Sequence, residues 1–191
     1  MLTLSTKALG DNTLSVFKYF TFQSNIYMGF VSIIYAYYQF LIIKKKRDKI
    51  PHVLTVFNHV GVTAVTLTFL VVIIFLGPLY GYHLMYNNAN LFYHLLVPLA
   101  AMINFIVFIS NEKRHFLHTL FTIIPCALYG IVYFSVVVAT NGYGDLKIDF
   151  YGFGKDGPLI GAVNFLLIIS ISYAIGVGLY FLNIIVCKKH K

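Results

Sequence analysis

The stretch Lys18–Tyr27, KYFTFQSNIY, decides the fold because the chain turns strongly apolar here. The apolar run continues to Ile43, which is longer than the roughly 20 residues that a membrane-spanning helix needs. Of the 191 residues, 59% are hydrophobic and 10% are charged, whereas a soluble domain carries about 25% charged residues. The composition excludes an ordinary soluble domain and predicts an all-α, polytopic transmembrane helix bundle.

Five apolar segments are long enough to cross a bilayer. Since backbone polar groups in lipid must be satisfied within the segment, each is expected to be helical. The predicted spans are about Tyr19–Ile43, Val53–Gly77, Asn90–Ser110, Phe116–Val138 and Pro158–Cys187. We expect a single transmembrane domain over residues 1–191, with a short leader at 1–18 and a lid-like loop at 139–157.

The basic residues predict how the spans are oriented. Ten Lys and Arg residues lie in segments 44–49, 111–115 and 188–191, which an odd number of spans places on one side, against four on the other. The positive-inside rule then puts the N-terminus outside and the C-terminus inside. The net charge of +8 belongs to a face that meets anionic lipid, so no nucleic-acid partner is needed to explain it. We expect an integral, multi-pass membrane protein.

The polar residues inside the spans are the candidates for function. No acidic residue falls within a span, which argues against a proton-driven carrier. Thr21, Ser24 and Asn25 share one helix face at spacing i, i+3, i+4. Ser24 and Asn25 fit either contacts between helices or support of a site, and the threonines of the second span are typical of helix packing.

Thr21 and His94 come from distant segments, yet the predicted topology places both near the outer end of their helices. A hydroxyl and an imidazole at one depth could form a nucleophile and its base, with Asn90 on the same helix side as His94. His59 fits a packed histidine bonded to a neighbouring carbonyl or a supporting residue. A haem or metal shared by His59 and His94 is disfavoured because they lie near opposite faces, and we expect no metal and no cofactor.

Loop 139–157 is rich in glycine and aromatic residues, and a long loop in a compact protein is often functional. Asp149, within KIDFYGF, could orient or charge-balance His94. It could equally be a solvated loop aspartate.

Three motifs carry a family resemblance: KYFTFQSN, NLFYHLLVPLAAMINFIVF and DFYGF. From about Lys18 to Asn183, the chain resembles a bacterial family of small multispan membrane proteins of unassigned activity, and this resemblance implies a bacterial plasma membrane. That family is in turn similar to the androgen-induced membrane threonine hydrolases of animals, which cleave fatty acid esters of hydroxy fatty acids. The animal proteins have a further span before the threonine helix, where this sequence has a short leader, and this sequence has LFYH around the histidine.

The resemblance implies that Thr21 is a nucleophile and His94 its base, acting on a fatty acyl ester drawn from the bilayer. Asn25, Asn90 or a helix-terminal amide would then donate to the oxyanion. The alternatives are a non-catalytic protein that binds or transports a lipid or small molecule, and a structural or partner-binding membrane protein.

Overall fold

The computed structural model describes residues 13–109 and 115–189 and confirms an all-helical protein with five candidate membrane spans. The observed boundaries differ from the predicted ones by three residues at most. The helices are α1 (Phe20–Ile43), α2 (His52–Tyr80), α3 (Ala89–Phe108), α4 (Phe116–Ala139) and α5 (Pro158–Cys187, with helical backbone to Lys189). The leader forms a short 3-10 helix, Thr13–Lys18, while its residues 1–12 lie outside the described part.

Helix α2 is the centre of the bundle. In the most apolar 18-residue part of α2, 61% of the residues are buried, against 17–28% in the corresponding parts of the other four spans. Helix α2 also packs against each of these four helices. Gly61 shows how closely α1 approaches, since a Cβ there would lie 2.9 Å from the Met28 sulfur and 3.1 Å from the Tyr27 ring. Small residues allow helix backbones to approach this closely in membrane bundles. The apolar faces of the outer helices that do not pack against other helices are left to contact lipid.

The threonines of α2 bond to their own helix. The hydroxyl of Thr63 donates to the His59 carbonyl at 2.8 Å, and that of Thr66 donates to the Val62 carbonyl at 2.6 Å. These back-bonds satisfy the buried hydroxyls locally. The hydroxyl protons of Thr63 and Thr66 are therefore used within α2, as expected for residues that serve helix packing.

Prolines follow two irregular turns that the periodicity does not reveal, whereas a third π-helical turn, Asn104–Phe108, has no proline after it. A π-helical turn, Val72–Leu76, precedes Pro78 in α2, and a second one, Phe92–Leu96, precedes Pro98 in α3. Proline has no N–H to donate to the carbonyl four residues earlier. The helix widens by one residue at each place, and single π-helical turns of this kind are frequent at functional sites.

The bundle has two ends, which we call the loop end, carrying loop 139–157, and the basic end, carrying segment 44–49. At the basic end, Nδ2 of the buried Asn183 donates to the carbonyls of Phe105 and Ile109 at 2.8 and 2.9 Å. This side chain anchors the end of α3 to α5, because it satisfies carbonyls that a helix terminus leaves without partners.

Candidate functional site

At the loop end, the start of α1 lies beside the π-helical turn of α3. One side chain joins them: Nδ2 of Asn25 donates to the Thr21 carbonyl at 2.7 Å and to the Tyr93 carbonyl at 3.2 Å. The rings of Phe22 and Tyr93 pack edge to face beside it, with centroids 5.8 Å apart. The turn that holds Thr21 and the turn that holds His94 are therefore in contact.

Pro98 accounts for the contact between Asn25 and Tyr93. In the π-helical turn, the Val97 N–H donates to the Phe92 carbonyl, and the next residue is a proline. The Tyr93 carbonyl thus loses both main-chain donors that a helix could supply. A buried carbonyl without a partner is costly, and the Asn25 amide provides the missing donor.

His94 lies in the middle of this π-helical turn and is largely buried. Its Nδ1 is 2.9 Å from the Met85 carbonyl. Because a carbonyl can only accept, Nδ1 must carry the proton, and Nε2 then holds the lone pair. This is the tautomer that a general base acting through Nε2 requires.

Thr21 is the second residue of α1 and is partly exposed. Its carbonyl accepts from Ser24 Oγ at 3.0 Å as well as from Asn25, so Ser24 supports the backbone of this turn. In the part of the chain that the structure describes, the Thr21 hydroxyl has no hydrogen-bond partner, and no direct bond joins it to His94.

The expectation that Asn25 donates to an oxyanion is wrong. Both protons of its amide nitrogen are directed at carbonyl oxygens. Its remaining polar atom, Oδ1, is buried without a partner among the described residues and can only accept. Asn90 makes one long contact, 3.4 Å from Nδ2 to the Leu84 carbonyl, so it retains donor capacity and remains a candidate.

Asp149 is neither a solvated residue nor placed to orient His94. It is fully buried and accepts from the Tyr133 hydroxyl and from the backbone N–H groups of Gly144 and Gly154, at 3.0 and 2.9 Å. The solvated interpretation is therefore wrong. Met85, not Asp149, holds Nδ1 of His94, and the carboxylate instead organises loop 139–157 from within.

Two tyrosines attach this loop end to the start of α1. The Tyr151 hydroxyl accepts from the Phe20 N–H at 3.1 Å, and the Tyr129 hydroxyl donates to the Lys18 carbonyl at 2.6 Å. Burial raises the pKa of Tyr151. Sequence reasoning missed both contacts, although the first N–H groups of any helix need partners and the aromatic richness of the loop was a usable signal.

His59 has the packed arrangement, since its Nε2 is 2.8 Å from the Gly176 carbonyl and its ring stacks on Phe105 with centroids 4.8 Å apart. It lies far along α2 from the turns that hold Thr21 and His94. Within residues 13–109 and 115–189, no three His, Cys, Asp or Glu side chains are grouped as metal ligands.

These features define the class of the protein as a five-helix, multi-pass membrane protein with a polar contact between α1 and α3. Comparisons with protein-family models, with curated proteins and with solved structures give no match. The resemblance to the threonine hydrolases therefore stays an expectation.

Proposed function

We propose that this protein is an intramembrane hydrolase of fatty acyl esters, with Thr21 as nucleophile and His94 as base. The observation that carries the proposal is the state of His94, whose proton is fixed on Nδ1 by Met85 in a π-helical turn beside Thr21. An imidazole held in this tautomer, on a turn that contacts the turn of a hydroxyl without a competing partner, supports a nucleophile–base pair.

The reaction requires Nε2 of His94 and the Thr21 hydroxyl to come within hydrogen-bond distance, or to be bridged by one water. Nε2 of His94 takes the Thr21 proton while the Thr21 oxygen bonds to the ester carbonyl carbon. The carbon–oxygen bond to the alcohol then breaks, and the alcohol leaves with the proton from His94. Water, deprotonated by Nε2, attacks the acyl-threonine and releases the fatty acid and Thr21.

The proposal includes the orientation expected from the basic residues, with the loop end outside and the basic end inside a bacterial plasma membrane. Substrate would enter from the outer leaflet. Single cysteines placed at Lys46 and Lys147, after Cys126 and Cys187 are replaced by serine, test this with a membrane-impermeant maleimide on intact cells. Labelling at position 147 alone supports the orientation, and labelling at position 46 alone reverses it.

The activity is tested with p-nitrophenyl palmitate hydrolysis and with an alkyl fluorophosphonate, whose adduct is mapped by mass spectrometry. We expect an adduct on Thr21 that Thr21→Ser retains, and that Thr21→Val and His94→Gln lose along with hydrolysis. Thr140→Val is the matched control, because Thr140 directly follows α4 and its hydroxyl donates to the Val136 carbonyl of that helix.

Hydrolysis that survives in well-folded Thr21→Val would refute the threonine nucleophile. If no variant and no wild-type protein hydrolyses the ester or takes up the probe, the protein is instead a binder or transporter of a lipid. The feature that favours this second function is a groove open to the bilayer on α4, which is described next.

A further inference from the structure

A groove of about 390 Å³ lies between α4 and loop 139–157. Its floor is Leu128, Val132 and Val136, which share one face of α4 at spacing i, i+4, i+8. All three are at least half exposed, so the groove opens sideways toward lipid. Ile148 and Phe150 of the loop overhang it.

One cation lines this groove. The Lys18 ammonium lies 4.7 Å from the centre of the Phe150 ring and 5.2 Å from that of Tyr19. In the described part of the chain, its charge is met by these aromatic faces and by no carboxylate. A lysine held by ring faces still has its three donors available for an anion.

The groove lies on another side of α1 from the contact between the turn of Thr21 and the turn of His94. Gln23 lines it, and Gln23 lies two positions from Thr21, on a nearly opposite side of α1. The Gln23 amide nitrogen is occupied by the Phe17 carbonyl at 2.7 Å, so Lys18 is the group left to fix the polar end of a ligand.

We propose that this groove binds a fatty acid, with the carboxylate on Lys18 and the part of the acyl chain nearest the carboxylate along α4. The argument is one of complementarity. The groove combines one positive charge with one apolar floor. This floor is about 12 Å long, because Leu128 and Val136 are separated by eight residues of helix rise. Apolar floors with a few fixed polar groups are typical of small-molecule sites, and the volume is in their usual range. The site is independent of the proposed hydrolysis.

The test uses photoaffinity labelling in nanodiscs of neutral lipid. One probe is a palmitic acid that carries a diazirine, and the other is the hexadecanol of equal length with the same diazirine. The protein carries Thr21→Val, so that no covalent turnover contributes and the result stands whatever becomes of the hydrolase proposal. We expect the acid to label the groove segments, residues 128–136 and 148–150, more strongly than the alcohol does.

Two variants divide the charge from the channel. Lys18→Gln should weaken acid labelling about tenfold, the effect of one charge-assisted bond, while Lys155→Gln leaves it unchanged. Val132→Trp should abolish labelling by both probes, whereas Val138→Trp, exposed on another side of α4, should not. Equal labelling by acid and alcohol, or acid labelling that Lys18→Gln leaves intact, would overturn the assignment to a fatty acid. Labelling that survives Val132→Trp would overturn the site itself.

Discussion

The Asp149 carboxylate should control the order of loop 139–157, and Asp149→Asn measures this directly. The carboxylate accepts three hydrogen bonds, from Tyr133 and from the backbone N–H groups of Gly144 and Gly154. An asparagine has one acceptor oxygen. If that oxygen keeps both backbone donors, the amide nitrogen faces the Tyr133 hydroxyl, which already accepts from the Tyr151 N–H at 3.2 Å.

The expected cost follows from these contacts. Hydrogen bonds to a charged group are worth about 1.5–3 kcal/mol and neutral ones about 0.5–1.5 kcal/mol. The change removes one charged bond and converts two others to neutral ones, for a loss of about 3.5–6 kcal/mol. Relief from burying a charge offsets part of this, leaving about 2–3 kcal/mol. If this loss lowers the free energy of local opening of the loop, the amide hydrogens of the loop should exchange about 30- to 150-fold faster.

Hydrogen exchange followed by mass spectrometry in detergent reads this out for the peptide that covers residues 140–157. Asp156→Asn is the control, since that carboxylate is exposed and should leave exchange within a factor of about two. Peptides of α2 should be unchanged in both variants. Equal protection of the loop in Asp149→Asn and in the wild-type protein would refute the claim that this carboxylate organises the loop.

Three further outcomes are expected. Gly176→Ala should destabilise the bundle by about 1–3 kcal/mol, because its Cβ would lie 2.3 Å from the Thr122 hydroxyl of α4. Gly178→Ala meets open space and should be neutral or stabilising. Equal melting temperatures of the two variants in thermal denaturation would contradict the close packing. Asn25→Ala should lower the free energy of unfolding by about 1 kcal/mol. The loss should be smaller in a Pro98→Ala background, because residue 98 then has an N–H that α3 can use for its own carbonyl. Additive losses in this double-mutant cycle would refute the account of the π-helical turn. Because burial raises the pKa of Tyr151, its contribution to stability is complete below pH about 10, the value of an unfolded tyrosine, and is lost as pH rises through the higher folded value. The protection factors of the loop amides, which are corrected for base-catalysed intrinsic exchange, should therefore fall at alkaline pH, and Tyr151→Phe should remove this pH dependence if the assignment is right.

The five spans could be predicted because apolar runs of bilayer length have one stable backbone conformation. The spacing of apolar residues could not show where a helix departs from regular α-helical geometry. Pro98 was visible, yet only the structure shows that it frees the Tyr93 carbonyl and that Asn25 supplies the donor. Asp149 was misjudged for a related reason. Its burial depends on two backbone N–H groups and a tyrosine from another helix, none of which the local sequence marks as neighbours.

The same contacts connect the loop to the candidate site. Asp149 fixes Tyr133, whose hydroxyl accepts from the Tyr151 N–H, and the Tyr151 hydroxyl in turn accepts from the first N–H of α1. That N–H belongs to Phe20, the residue before Thr21. A helix start is the part of a helix most prone to fraying, so a nucleophile placed there needs external support. Loop 139–157 supplies it from one side and Asn25 from the other, and weakening the Asp149 network should therefore lower the reactivity of Thr21 without touching either member of the proposed pair.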